Sequence, residues 1–361
     1  MKPKVLLLQE TLSFYNCPTY CILAQYVDLT VAYTVKNETN EELPFKIVRL
    51  DYKKICGIYF INRGFYKMVS QYSVVIFSCD LHIFSYCSLP FIRRKYKVIP
   101  WTIGIRASYT KRYDLNRKKD YIDRIYGYIL KKSDAVIFYM KGPIGFWGNY
   151  INKEKIFIAH NTVQVLTNEI DKNQQKNSIL FVGTLYKEKM IYELLDAYID
   201  AKINDNANNF LYLDIIGKGE EYENIKARIE AEKLADSIIL HGPVYDEKEL
   251  AAYFSKALLC ISPDQAGLSV LKSMGYGVPY VTRANAITGG ERFNIIDKKN
   301  GLFYKTRREL VNIIEDAYKN PESYIIMGMN AQRYYTSNAT TKHMAQGFID
   351  AIKYVLDVSF I

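Results

Sequence analysis

The sequence predicts an α/β protein made of two Rossmann-like, doubly wound domains facing a central cleft. Three observations carry that expectation. The chain has 361 residues, which is long for one hydrophobic core. Short apolar runs alternate with longer segments of mixed polarity, the pattern of a parallel sheet with helices on both faces. After a polar, aperiodic stretch at 168–177 the alternation starts again, so that stretch reads as a linker. The domains are therefore expected at 1–165 and 166–342.

In the first half, strands are expected at 5–8, 29–33, 45–50, 73–77, 98–101 and 135–139. A further apolar run at 156–159 leads into His160-Asn161-Thr162-Val163. In the second half, strands are expected at 178–182, 211–216, 238–240, 257–261 and 279–282. Between them, 192–203, 222–234 and 248–255 repeat apolar residues at helical spacing. Segments 308–319, 321–335 and 343–358 also read as helices. A ligand of such a fold sits at the carboxyl ends of the strands.

Composition narrows the class. Apolar content of 49% and charged content of 24% are globular values. No apolar stretch approaches the roughly 20 residues that span a bilayer, and the opening Met1-Lys2-Pro3-Lys4-Val5-Leu6-Leu7-Leu8 reads as a first strand, not a signal peptide. The six cysteines lack paired metal-ligand spacing and fit structural thiols in a reducing cytoplasm. Charge is uneven: residues 1–165 hold 25 basic against 12 acidic side chains, although the whole chain is only +10. The excess is densest at 93–97 and 111–119. Such a field attracts anionic lipid headgroups or a phosphorylated acceptor; a solvated lysine-rich surface would look the same. Nucleic acid is disfavoured, because no binding motif accompanies the charge.

Two glycine-bearing turns point to a phosphate. The run Ile261-Ser-Pro-Asp-Gln-Ala-Gly-Leu-Ser ends a strand and opens a helix near Ala266-Gly267. The N–H groups of Ala266, Gly267 and Leu268 are expected to meet an anion there, and Asp264 is the nearest carboxylate. Earlier, Phe181-Val-Gly-Thr-Leu-Tyr-Lys-Glu-Lys places Gly183, Thr184 and Lys189 after another strand. A lysine near a helix start opposes the helix dipole, which makes sense with an anion between them. Gly217-Lys-Gly219 is a further strand-to-helix turn without a dinucleotide fingerprint, so hydride transfer is disfavoured. The turn His241-Gly-Pro-Val244 offers backbone groups to a nucleobase edge, with His241 read chiefly as structural. In the first domain, Asp80 and His82 follow one strand, and Trp101, Gly104 and Arg106 follow another. These are candidate acceptor-side residues, with Arg106 also a candidate phosphate contact.

Taken in order, Gly183-Thr-Leu with Lys189, Ile216-Gly-Lys-Gly219, His241-Gly-Pro-Val, Ser262-Pro and Gly267-Leu268…Met274-Gly-Tyr-Gly277-Val-Pro279 resemble the retaining glycosyltransferases of the GT-B fold, family four. The resemblance is to the bacterial members that build polysaccharides, and it covers roughly 155–320. It implies transfer of a sugar from a UDP- or GDP-linked donor to a glycan or polyprenyl-linked acceptor, with no metal or other cofactor. It also implies a terminal helix at about 343–361 that packs back on the first domain, and a cytoplasmic protein at the inner face of the membrane. On this reading Asp264, Lys189 and Arg106 are catalytic. Gly183, Thr184, Gly217, Gly219, His241, Val244, Ala266, Gly267, Leu268, Lys272 and Glu291 bind the donor.

Two positions depart from the family. Its signature of two glutamates is here Asp264 and Lys272, and lysine has no acceptor oxygen for a ribose diol; Glu291 is a nearby carboxylate. Thr184 replaces an arginine, removing a bidentate phosphate fork. In the first domain, Ile103 stands where related enzymes place a histidine. A nucleotide-sugar epimerase of the same fold and a non-catalytic sugar-nucleotide binder are the alternative readings.

Overall fold

The computed structural model describes residues 2–39, 42–106, 113–169, 174–205 and 210–357. Part of the expected linker (170–173), Lys111 and Arg112 lie outside the described residues. The chain divides into two compact units. One comprises Met1–Arg106, Asp114–Thr162 and Ala339–Ile361; the other comprises Ala107–Tyr113 and Val163–Asn338.

The first unit is built on seven parallel strands: β1 (Lys4–Leu12), β2 (Asp28–Asn37), β3 (Lys46–Arg49), β6 (Val74–Ser78), β7 (Lys97–Thr102), β8 (Val136–Phe138) and β9 (Ile156–Ile158). Their order is β3-β2-β1-β6-β7-β8-β9. Val5, Leu6, Leu7 and Leu8 are fully buried, as a central parallel strand covered on both faces requires. Strand order reverses between β1 and β6, the switch point of the sheet. Between β3 and β6 lies an antiparallel hairpin, β4 (Tyr52–Ile55) and β5 (Ile58–Ile61). Its turn residues Cys56 and Gly57 both have positive φ, +50° and +81°, the geometry that matches a tight hairpin. Helices α1 (Cys17–Leu23), α2 (Phe65–Val69), α3 (Phe84–Cys87), α4 (Tyr121–Lys132) and α5 (Gly142–Trp147) complete this part of the unit.

The second unit has six parallel strands, β10 (Ser178–Val182), β11 (Tyr212–Ile216), β12 (Ile238–Gly242), β13 (Ala257–Ile261), β14 (Tyr280–Arg283) and β15 (Gly301–Tyr304), in the order β12-β11-β10-β13-β14-β15. Its helices are α6 (Ile191–Asp205), α7 (Tyr222–Ala231), α8 (Glu247–Lys256), α9 (Ser269–Gly275), α10 (Arg307–Lys319) and α11 (Pro321–Asn338). Two differences from expectation stand out. The α9 helix starts at Ser269, two residues after Gly267, and β15 was not anticipated.

The chain then returns to the first unit as α12 (Thr341–Leu356). Gly347 lets α12 lie on the sheet, since a Cβ there would stand 2.1 Å from the Ile158 carbonyl oxygen. Phe348 packs edge-on against Trp101, ring centroids 5.0 Å apart, within a core that includes Tyr20, Ile76, Ile99 and Ile352. Phe348→Ala is expected to destabilise this unit by about 3–5 kcal/mol. Denaturant unfolding followed by tryptophan fluorescence measures it, and an unchanged midpoint would show that α12 contributes no core.

Candidate active site

The carboxyl ends of β10, β11 and β12 are tied together through glycines. Gly183 N–H donates to Ile216 O at 3.0 Å, Leu185 N–H to Lys218 O at 3.0 Å, and Gly217 N–H to Gly242 O at 2.8 Å. Gly217 has φ +150°, and a Cβ there would stand 1.8 Å from Gly183 O; at Gly219 it would stand 2.2 Å from Leu185 O. Both glycines thus position the Gly183–Leu185 turn. Thr184, at its tip, is exposed.

That turn delivers Lys189. A single 3₁₀ turn, Lys187–Lys189, ends at Met190 in the left-handed region, and the lysine is carried inward to 7% exposure. Burial pulls its pKa down to about 8, with Cys260 and Glu291 acting in the opposite direction. Its one hydrogen bond among the described residues is long, 3.4 Å to the carbonyl of Gln265. Gln265 is buried too; Tyr186 donates to its Oε1, while its Nε2 has no partner among the described residues. Next along the chain, Ala266 N–H is spent on Ile287 O at 2.9 Å, which corrects the expectation that it meets an anion. The N–H groups of Gly267 and Leu268 take no partner among the described residues. One buried ammonium, held to the Gln265 carbonyl, one buried amide donor and two main-chain donors are thus associated with the segment 265–268.

Carboxylates flank it. Asp264 is buried and close enough to Arg283 and Tyr304 to act on both electrostatically. Arg283, which nothing in the sequence singled out, holds Glu193 at 2.6 Å. Glu291 is buried, accepts from Thr288 Oγ1 at 3.2 Å and acts on Lys189. Lys272 is paired with Glu247 at 2.5 Å, and Tyr276 donates to the other Glu247 oxygen at 3.1 Å. The carboxylate beside Lys272 is therefore Glu247, at the start of α8. His241 is fixed between Asp214 (2.7 Å from Nε2) and Tyr253 (3.2 Å from Nδ1), and Val244 follows in the loop before α8.

In the first unit, Asp80 accepts from His82 N–H and contacts its Nδ1, both at 2.9 Å. Glu10 near the end of β1 joins them across the switch point. Burial, then the Asp80 charge, raise its carboxyl above the ordinary value, while His82 and Lys54 oppose the shift. Its signal was an acid at the end of an otherwise apolar strand. Trp101 is buried in the core, and Gly104 has φ +85° with its carbonyl accepting from Trp147 Nε1 at 2.7 Å; both serve packing as placed. Arg106 spends its Nε on Asp123 (3.0 Å) and its Nη2 on Asp120. Arg117 grips the same Asp123 bidentately at 2.5 and 2.7 Å. Burial pushes the Asp123 carboxyl up, yet the Arg117 and Arg106 hydrogen bonds outweigh it and hold Asp123 well below the usual carboxylate range. Among the described residues, no group of three or more His, Cys, Asp or Glu could hold a metal ion.

Two parallel, doubly wound α/β units in one chain define the GT-B glycosyltransferase fold. HepE from Anabaena in complex with UDP aligns at a TM-score of 0.72 and 14% identity, covering 97% of this chain and 99% of that one. Sucrose-phosphate synthase from Thermosynechococcus elongatus aligns at 0.69 and 16% identity, covering 99% and 100%. Residues 164–334 match the family described as glycosyl transferases group 1. An uncharacterized glycosyltransferase of Methanocaldococcus jannaschii is 26% identical over 246 residues, 63% of this chain and 60% of that protein. The alpha-monoglucosyldiacylglycerol synthase of Acholeplasma laidlawii is 24% identical over 196 residues, 53% and 48%. The chain thus spans about half to three-fifths of the length of these curated relatives.

The glycines differ in what they tolerate. Gly217→Ala is expected to cost at least about 2 kcal/mol, from a strained φ and a main-chain clash. Gly267→Ala, with nothing within 4 Å of the added Cβ, is expected to stay within about 0.5 kcal/mol of wild type. Chemical denaturation of both variants checks the contrast.

Proposed function

We propose that the chain transfers a sugar from a nucleoside-diphosphate sugar to a glycan or lipid-linked saccharide, with retention at the anomeric carbon and without a metal ion. The observation that carries this reading is the buried Lys189 ammonium beside the unpartnered Gln265 Nε2 and the open Gly267 and Leu268 N–H groups. Three donors with no acceptor among the described residues, and an ammonium with one long contact, suit the diphosphate. Loss of the sugar leaves negative charge on that group, and fixed donors in a dry site stabilise it as it forms.

The other residues take roles around that centre. Asp264 lies on the same turn and is assigned to the donor sugar. Glu247, steadied by Lys272 and Tyr276, supplies the acceptor oxygens for a ribose diol that Lys272 lacks. The loop carrying Val244 reads the base, with His241 positioning it, and Glu291 tunes the charge on Lys189. Asp80 and His82, joined by Glu10, are assigned to acceptor hydroxyls in the first unit; Arg106, Trp101 and Gly104 position the loops there. HepE, of the same fold, is solved with UDP, with UDP and glucose, and with UDP-glucose, which makes UDP the first nucleotide to try. A cytoplasmic setting follows from the donor, since nucleotide sugars are made there. Incubation with a panel of sugar nucleotides and saccharide acceptors is the direct test. Acceptor-dependent release of nucleoside diphosphate is expected; isomerisation of the sugar without release would mark an epimerase, and binding without turnover a carrier.

Lys189 gives a sharper pair of expectations. Its folded pKa of about 8 lies below the unfolded value of about 10.4. Between those values the unfolded chain holds the proton and the folded one does not, so ligand-free stability rises as pH climbs through that window. Below about pH 8 the whole cost of burying the charge remains. Lys189→Met is thus expected to stabilise the ligand-free protein at pH 7 by on the order of 2 kcal/mol while weakening UDP binding by about 1.5–3 kcal/mol. Wild-type affinity is expected to decline above pH 8 and that of the variant to stay flat. Calorimetric titration with UDP reads both, and equal affinities would move the diphosphate elsewhere.

A further inference from the structure

The helix α4 is apolar on two sides. One side carries Tyr126, Ile129 and Leu130 into the interior. The other exposes Tyr121 (72%), Ile125 (53%) and Tyr128 (46%), which the i, i+4, i+7 spacing places on one stripe. Phe91, itself 48% exposed, stacks on Tyr128 with ring centroids 5.3 Å apart and planes 24° from parallel. Four large apolar side chains thus form one contiguous exposed patch, which a surface helix has no folding reason to keep.

Cations frame the patch. Arg124, Lys131 and Lys132 are exposed on the same helix, and Arg93 and Lys95 are exposed just after Phe91. Lys132 Nζ stands 5.5 Å from the Tyr128 ring centroid, and Lys131 Nζ stands 4.9 Å from that of Tyr150. The two acids at the start of α4 do not offset this charge: Asp120 is engaged by Arg106, and Asp123 by Arg106 and Arg117. Those bonds, with the reciprocal Asp120–Asp123 cap, also hold the helix firmly in its frame.

Aromatic rings flanked by lysine and arginine suit the boundary between lipid headgroups and acyl chains, where rings enter the interface and cations meet phosphate. A self-pairing of this face would set Arg124, Lys131 and Lys132 against their own copies, whereas an anionic bilayer complements the 25 basic against 12 acidic residues of 1–165. We propose that the exposed face of α4, together with Phe91, docks the chain on an anionic phospholipid bilayer. The patch lies in the first unit and owes nothing to the donor-site reading. Among the described residues, no helix is long and apolar enough to cross a membrane, so any attachment through this face is at the surface.

The test is co-sedimentation of the full chain with phosphatidylcholine vesicles, with and without phosphatidylglycerol. Binding is expected only when phosphatidylglycerol is present and is expected to weaken with salt. Lys131→Gln and Lys132→Gln are expected to lower partitioning about fivefold each, and Tyr121→Ser with Ile125→Ser by at least about tenfold. UDP affinity and thermal unfolding are measured alongside and should not move. Equal binding to neutral vesicles, no vesicle binding at all, or unchanged partitioning of the folded lysine variants would overturn the proposal. So would a concentration-dependent dimer that the Tyr121 and Ile125 substitutions abolish.

Discussion

Burying a lysine without a counter-charge in hydrogen-bond range is the constraint around which the second unit is arranged. An ammonium taken from water loses strong hydration, and a partner usually restores it. At Lys189 the compensation is slight: one long bond to the Gln265 carbonyl, with Glu291 acting only at a distance. The fold tolerates this because the lysine is placed by main chain on both sides. The Gly183 turn precedes it, and Met190 in the left-handed region follows it. Its side chain then runs beside Gly183, the Nζ lying 3.6 Å from where a Cβ on that glycine would sit. A site left short of acceptors in this way is made for something that brings them.

That placement depends in turn on interlocked strand ends. Gly217 and Gly219 allow the β11 turn to press against the β10 turn at main-chain distance, and the β12 end accepts from the β11 turn through the Gly242 carbonyl. Any Cβ at Gly217 would push the Gly183 turn outward and take Lys189 with it. The glycines are therefore part of the electrostatics of the site although they carry no charge. The Asp214–His241–Tyr253 chain extends the same rigidity toward the loop that carries Val244.

How much of this the sequence discloses depends on whether the signal is local. The apolar runs of β1, β10 and β13 are continuous because those strands are covered on both faces, and they can be read by eye. The hairpin β4–β5 escapes notice because its residues are largely exposed and mix Lys53 and Lys54 with aromatics. The edge strand β15 has only Gly-Leu-Phe-Tyr to announce it. In the site, Gly183, Lys189 and Gly267 are visible because strand, turn and helix succeed one another in the chain. Gln265 is not, since its significance lies in an orphan Nε2 that only packing creates. Glu247 is hidden for a related reason: it stands 25 residues before Lys272, and nothing in the spacing says that α8 and α9 bring them together. Substituting Lys for an acid looks like a loss until the partner is seen.

Asp123 and Lys189 show why burial alone does not mark function. Both are charged groups withdrawn from solvent. Asp123 receives three side-chain hydrogen bonds from two arginines and one from the Asp120 main chain, so its charge is fully answered and its pKa falls. Lys189 is answered by a single long contact, and its pKa falls as well, but for a base a fall favours the neutral form. A satisfied buried charge fixes local structure, here the start of α4; removing it would be felt as unfolding. An unsatisfied one stores unfavourable desolvation that a ligand can relieve, and relief of that strain is available to the bound state alone. Burial favours the neutral form of both; whether the partners overturn it, as at Asp123, or leave it standing, as at Lys189, separates the anchor from the ligand-seeking group.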